Sequence, residues 1–197
     1  MTQILQSLLK TVIAGVILLI ILLLAYTSIS GNAIPFGHAW GTFAVRWLHV
    51  VAGVMWIGLL WYFNFVQIPS MPNIPDEQKP AISKVIAPTA LFWFRHAALA
   101  TVITGLLVAW LQGYLVLAMT LQPGVVAIGL GMWIALIMAF NVWFIIWPNQ
   151  KKALGLVTVE APEKAKAART AMLTSRINTM LSIPMLYMMV AQQNAGL

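Results

Sequence analysis

Four ionisable side chains occur inside segments that are otherwise apolar. Arg46 and His49 are three residues apart in one such segment, and Arg95 and His96 are adjacent in another. A charged or titratable group in hydrocarbon costs roughly 2.5 kcal/mol or more on insertion scales, so such residues are usually retained for a partner or a function. We therefore take these four residues as the first candidates for chemistry.

The surroundings of His49 suit a porphyrin. Spacings of three and four place one stripe of residues along a helix, namely Arg46, His49, Gly53, Trp56, Leu60 and Asn64. An imidazole can ligate iron, the missing side chain of Gly53 lets a flat ring approach, and Arg46 can pair with propionates. The alternative is that His49 bonds to a neighbouring helix and that Gly53 allows close helix packing.

His96 repeats this spacing with Ala100 on the next apolar helix. A rise of about 1.5 Å per residue puts His49 roughly 10 Å and His96 roughly 24 Å from the outer helix ends, so the two are poorly placed for one iron. His96 is therefore either a second haem ligand at a different depth or, backed by Arg95, a substrate-side base. Met185, near the depth of His49, is a candidate second axial ligand.

A second group of polar residues is expected in the inner half of the bundle. These side chains either bind a cofactor, a quinone head or a polar substrate, or form hydrogen bonds between helices. The group consists of Asn64, Asn141, Ser175, Arg176, Asn178 and Thr179. His38 is expected to be a solvated loop residue rather than a third ligand.

The elements that position these residues are membrane helices. The chain of 197 residues is 61% hydrophobic and 8% charged, with a mean hydropathy of +0.91, which leaves too little polar surface for a soluble domain. Because a bilayer core needs about 20 apolar residues per crossing, we predict an all-α, polytopic membrane helix bundle that forms a single domain over 1–197. Its five transmembrane helices are expected near 11–28, 42–68, 88–112, 123–147 and 174–192, with an irregular proline-rich loop over 69–88 and the first helix retained.

Charge sets the expected orientation. The formal net charge is +7, but most of the basic residues fall on one side of the five-helix arrangement, whereas 29–39 and 113–123 contain no Lys or Arg. This positive-inside pattern predicts a cytoplasmic N-terminus and a periplasmic C-terminus, ending at Leu197. It also argues against a nucleic-acid partner.

Composition removes several kinds of site. There is no cysteine, which excludes disulfides, thiolate metal sites and covalent c-type haem within these residues. The four acidic residues are all expected in loops, so a carboxylate proton relay or an ion transporter is disfavoured.

Three stretches carry a resemblance to a known family. They are Arg46-Trp-Leu-His49-Val-Val-Ala-Gly53-Val-Met-Trp56-Ile-Gly58, Asn141-Val-Trp-Phe-Ile-Ile-Trp-Pro148-Asn-Gln-Lys-Lys152, and Ser175-Arg176-Ile-Asn178-Thr-Met-Leu-Ser182-Ile-Pro184-Met185. They resemble the membrane domain of the cytochrome c-linked urate oxidase, or urate hydroxylase, family. The resemblance implies a bacterial inner-membrane oxidoreductase module, here in a short form without the cytochrome c domain.

The sequence thus predicts a membrane-bound redox component that binds haem b. His49 would be an axial ligand, and electrons would pass from a small organic reductant, urate in the family-based case, to a separate cytochrome c or respiratory membrane complex. The alternative is a cofactor-free accessory or structural subunit of a larger membrane complex.

Overall fold

The computed structural model describes residues 2–194 and is all-α over that range, as predicted. After a single turn at Thr2–Leu5, six helices follow: α1 Leu8–Ser30, α2 His38–Asn73, α3 Lys79–Leu111, α4 Leu115–Met119, α5 Val126–Ala153 and α6 Ala161–Ala191. No strand occurs among the described residues. The C-terminal Leu197, predicted to be periplasmic, lies outside them.

Backbone packing divides the chain into two compact units, 1–41 and 42–197. In the first unit, α1 is mostly apolar and has no buried residue. It ends at Gly31, whose left-handed backbone (φ 69°) turns its N–H to the carbonyl of Thr27, a common helix C-cap. The single domain expected over 1–197 stays a prediction.

Four helices are long and apolar enough to cross a membrane: α1, α2, α3 and α5. This is the pattern expected of a multi-pass membrane protein. The fifth predicted crossing, 174–192, lies in the second half of α6, which does not meet the same measure of length and hydropathy. The predicted number of five is therefore approximate.

The proline-rich loop predicted over 69–88 is wrong, because α2 continues to Asn73 and α3 already begins at Lys79. Three helices accommodate a proline by widening the preceding turn. A π-helical stretch precedes a proline in three helices: Tyr62–Gln67 before Pro69, Ile82–Ile86 before Pro88, and Asn141–Ile146 before Pro148. A proline lacks the N–H and clashes with the carbonyl four residues earlier. Widening the preceding turn accommodates that clash without ending the helix.

The core of the second unit lies between α2, α3, α5 and α6. Its fully buried side chains include Trp56, Phe94, Met138 and Asn178, one from each helix. The short α4 packs on α5 at Gly129, where an added Cβ would collide with the carbonyl oxygen of Ala118.

Candidate functional site

A cavity of about 620 Å³ opens between the four helices of the second unit. Its volume lies within the range of small-molecule and cofactor sites, which are mostly apolar with a few polar groups. The wall is largely apolar and contains all four residues predicted to bind a cofactor: Arg46, His49, Gly53 and Met185. Residues that are 139 positions apart in the chain are therefore brought to one site.

The imidazole of His49 is held on α3. Its Nδ1 lies 2.9 Å from the carbonyl oxygen of Thr101 and 3.3 Å from Oγ1 of Thr104. Because a carbonyl can only accept, Nδ1 carries the proton and donates it. This leaves Nε2 as the nitrogen with a lone pair, which is the arrangement of a metal-binding histidine whose other nitrogen bonds a carbonyl.

Gly105 determines where this ring can lie. A Cβ at position 105 would approach Cε1 of His49 to 2.8 Å, closer than real Cβ contacts allow, and Nδ1 to 3.1 Å, which is tighter than most such contacts. Gly105 was not among the residues predicted from the sequence. A glycine within an apolar helix nevertheless indicates a place where a neighbouring helix can come close. By contrast, a Cβ at Gly53 would lie 3.9 Å from Cγ2 of Thr101, an ordinary contact. Close helix packing therefore does not require a glycine at position 53.

Polar groups gather at one end of the cavity. Arg46 donates from a terminal guanidinium nitrogen to Oε1 of Gln193 at 3.4 Å, while its Nε is buried without a partner. Tyr114 also lines this end, and burial raises the pKa of its phenol while the nearby Arg46 charge opposes that shift. The phenol is thus a donor at neutral pH, and the whole end can bind an anionic group.

Trp56 adds a donor deeper in the cavity wall. Its side chain is fully buried, and its indole N–H has no hydrogen-bond partner. Trp56 belongs to the stripe of α2 residues that also contains His49, but no chemical role was predicted for it from the sequence. A buried donor without a partner is uncommon in folded proteins.

Met185 is 5% exposed and faces the same cavity from α6. Within residues 2–194 no group of three or more His, Asp or Glu side chains is placed to hold a metal ion. A metal at this site would therefore depend on His49 together with a weak ligand or a macrocycle, which is the donor set of a haem site. The residues present fit a haem.

Arg95 and His96 lie elsewhere. Neither lines the cavity, and His96 precedes Gly105 by nine residues, about 13 Å along α3. The Nδ1 of His96 donates to the carbonyl of Phe92 at 2.7 Å, and its ring packs on Phe92 and against Trp143. The structure thus separates the two histidines, as the depth estimate predicts.

The inner polar group forms hydrogen bonds between helices. Asn141 donates to Oδ1 of Asn178 at 2.8 Å, and Asn178 donates to the carbonyl of Met138 at 2.9 Å. Asn64 donates to Oγ of Ser175 at 2.8 Å. These contacts fit the second of the two interpretations of this group.

Three predicted residues take no part in these contacts between helices. Thr179 bonds only within its own helix, and Arg176 is exposed. His38 is exposed at the first residue of α2 and does not line the cavity.

Helices α5 and α6, which both line the cavity, lie in the part of the chain that matches a known family. A family model described as urate oxidase N-terminal matches residues 116–195. This segment, which is less than half of the chain, is similar to the urate oxidase N-terminal family. The matched residues include the motifs that begin at Asn141 and Ser175, whereas the motif from Arg46 to Gly58 lies outside the match. No curated protein and no solved structure matches the chain.

Proposed function

We propose that this urate oxidase-related membrane protein is a redox component whose central cavity binds haem b. The observation that carries the proposal is the geometry of His49, which lines the cavity with Nδ1 fixed on Thr101 and Nε2 left as a lone-pair donor. Such a carbonyl bond sets the tautomer and the ring orientation that iron ligation needs.

The neighbouring residues have matching roles in this proposal. Gly53 leaves a flat ring room to approach, and Met185 is the candidate ligand on the opposite helix. Arg46, with its unpaired buried Nε, pairs with a propionate at the polar end of the cavity. Tyr114 donates a hydrogen bond to the same carboxylate.

A bound haem b would supply one-electron transfer. The proposed donor is a small organic reductant, with urate as the first compound to test, and the proposed acceptor is a separate cytochrome c or a respiratory membrane complex. The proposed location is a bacterial inner membrane. The helix ends that meet at Asn73, Lys79 and Ala153 would face the cytoplasm, because basic residues concentrate there.

The first test is a dithionite-reduced minus oxidised absorption spectrum of the protein purified in detergent. We expect a b-type Soret and α band that is lost in His49→Ala. His96→Ala is the matched control, since it removes an imidazole from the same bundle outside the cavity. That variant should keep the bands.

Two results would contradict the proposal. Bands that persist in His49→Ala but disappear in His96→Ala would move the haem to the other histidine. A featureless spectrum from well-folded protein would favour the alternative, a cofactor-free accessory subunit of a larger membrane complex.

A further inference from the structure

A second group of side chains lies between α3 and α5, away from the cavity. We call it the Arg95 cluster, and it consists of Phe92, Arg95, His96, Trp143, Trp147 and Lys151. The guanidinium carbon of Arg95 lies 3.9 Å from the ring centroid of Trp147, and Nζ of Lys151 lies 5.7 Å from the same centroid. One indole thus contacts two cations.

These two cations have no carboxylate partner. Among the described residues, the ion pairs are Lys79 with Asp76 and Lys152 with Glu163, and neither includes Arg95 or Lys151. One terminal nitrogen of Arg95, Nη1, is buried and has no hydrogen-bond partner. An Arg in this setting normally pairs with an anion or a carbonyl. Among the described residues, none accepts a hydrogen bond from this nitrogen of Arg95.

The cluster lies at the level of a membrane interface. A bilayer core spans about 20 helical residues. Twenty residues counted back from Leu111 along α3 end at Phe92. Twenty residues counted forward from Val126 along α5 end two residues before Trp147. Trp147 is thus in an interfacial position, and Arg95 lies about one turn inside it, within reach of the phosphate layer.

We propose that Arg95 and Lys151, held by Trp147, bind the phosphate of an anionic phospholipid. A phosphate oxygen accepts from the guanidinium of Arg95, whose side chain is partly exposed, and stacking on Trp147 keeps the guanidinium plane in position for it. Phe92 is 45% exposed beside Arg95 and offers an apolar surface to an acyl chain. Basic pockets between membrane helices at the basic end of a bundle are the recognised place for such headgroups.

This site does not depend on the proposed haem. None of the six cluster residues lines the cavity. Loss of haem binding would leave the lipid site intact, and loss of the lipid site would leave the cavity residues unchanged, so the two proposals fail separately.

Native mass spectrometry of the full chain tests the proposal. The protein is loaded in detergent with equal amounts of phosphatidylglycerol and phosphatidylcholine, and the lipid retained per chain is compared. We expect preferential retention of phosphatidylglycerol, reduced about fivefold or more in Arg95→Gln and in Lys151→Gln, which is the factor expected for one basic residue near an anionic membrane surface. Lys84→Gln removes the same charge from an exposed position on α3 outside the cluster and should retain lipid as the parent does.

Three outcomes would overturn the lipid site. The first is equal retention of the two lipids by the parent protein, and the second is an equal loss in Lys84→Gln. The third is displacement of phosphatidylglycerol by an equal concentration of inorganic phosphate, which would identify a soluble anion as the ligand. If Arg95→Gln does not fold, Lys151→Gln decides, because Lys151 is only partly buried near the end of α5.

Discussion

At Gly105, the absence of a methyl group decides where the His49 ring can lie. In Gly105→Ala, the new Cβ would meet Cε1 at 2.8 Å, and the ring must move away from the carbonyl of Thr101. We expect haem affinity to fall about 10- to 100-fold, as it does when the partner of a metal-bound histidine is removed. The measurement is the haem content of the purified variant.

Gly41→Ala is the control for this substitution, because a Cβ at Gly41 would meet nothing within 4 Å and the residue does not line the cavity. Gly41→Ala therefore shows how much replacing a glycine by alanine changes haem content when no contact with the His49 ring is involved. Unchanged haem content in Gly105→Ala would show that the ring position seen here is not the one that binds iron.

Arg46 and His49 were chosen from the sequence and both line the cavity, while their roles stay predictions. Arg46 and His49 stand out because their types are rare in apolar segments. Gly105 and Tyr114 were missed because their importance comes from contacts with another helix. Gly105 matters through the His49 ring, and Tyr114 through its position beside Arg46. The spacing of residues along the chain does not report contacts of this kind.

Between helices, Asn178 of α6 joins two groups of α5. It is fully buried, accepts from Asn141 and donates to the carbonyl of Met138. We expect Asn178→Leu to lower the free energy of unfolding by about 1–2 kcal/mol, since it removes two interhelical hydrogen bonds and takes away the acceptor of the Asn141 amide. Denaturant unfolding in detergent, followed by helical circular dichroism, measures this loss.

Asn149→Leu is the matched control on α5. The Asn149 amide donates only to the carbonyl of Ile145 in its own helix, so its loss should not weaken the contact between α5 and α6. Equal destabilisation by the two substitutions would mean that Asn178 contributes no more than a local bond does.

The membrane helices were predicted in approximate number and place but not in length. Their apolar cores identify them, yet α2 and α3 both extend into the segment that was read as a loop because of its prolines. The reason is physical: a π-helical stretch before Pro69 and another before Pro88 absorb the clash that a proline causes. Sequence rules for helix ends do not include that adjustment.

For the molecule as a whole, hydropathy was sufficient to predict an all-α membrane bundle. It could not predict that α2, α3, α5 and α6 leave a cavity between them, because that depends on which faces meet. The family match covers 116–195 and so includes α5 and α6, whereas Arg46 and His49 come from α2, outside it. The candidate haem site therefore contains residues from the matched segment and residues of α2 that lie outside it.

The central claim is that this cavity binds haem through His49, and titration of the purified protein with haemin tests it most directly. Supplying the cofactor removes any dependence on its incorporation during expression. We predict saturable binding of one haemin per chain with a shifted Soret band, and an affinity that falls at least about tenfold in His49→Ala. Non-saturable uptake, or equal affinity in the parent and in His49→Ala, would contradict the account.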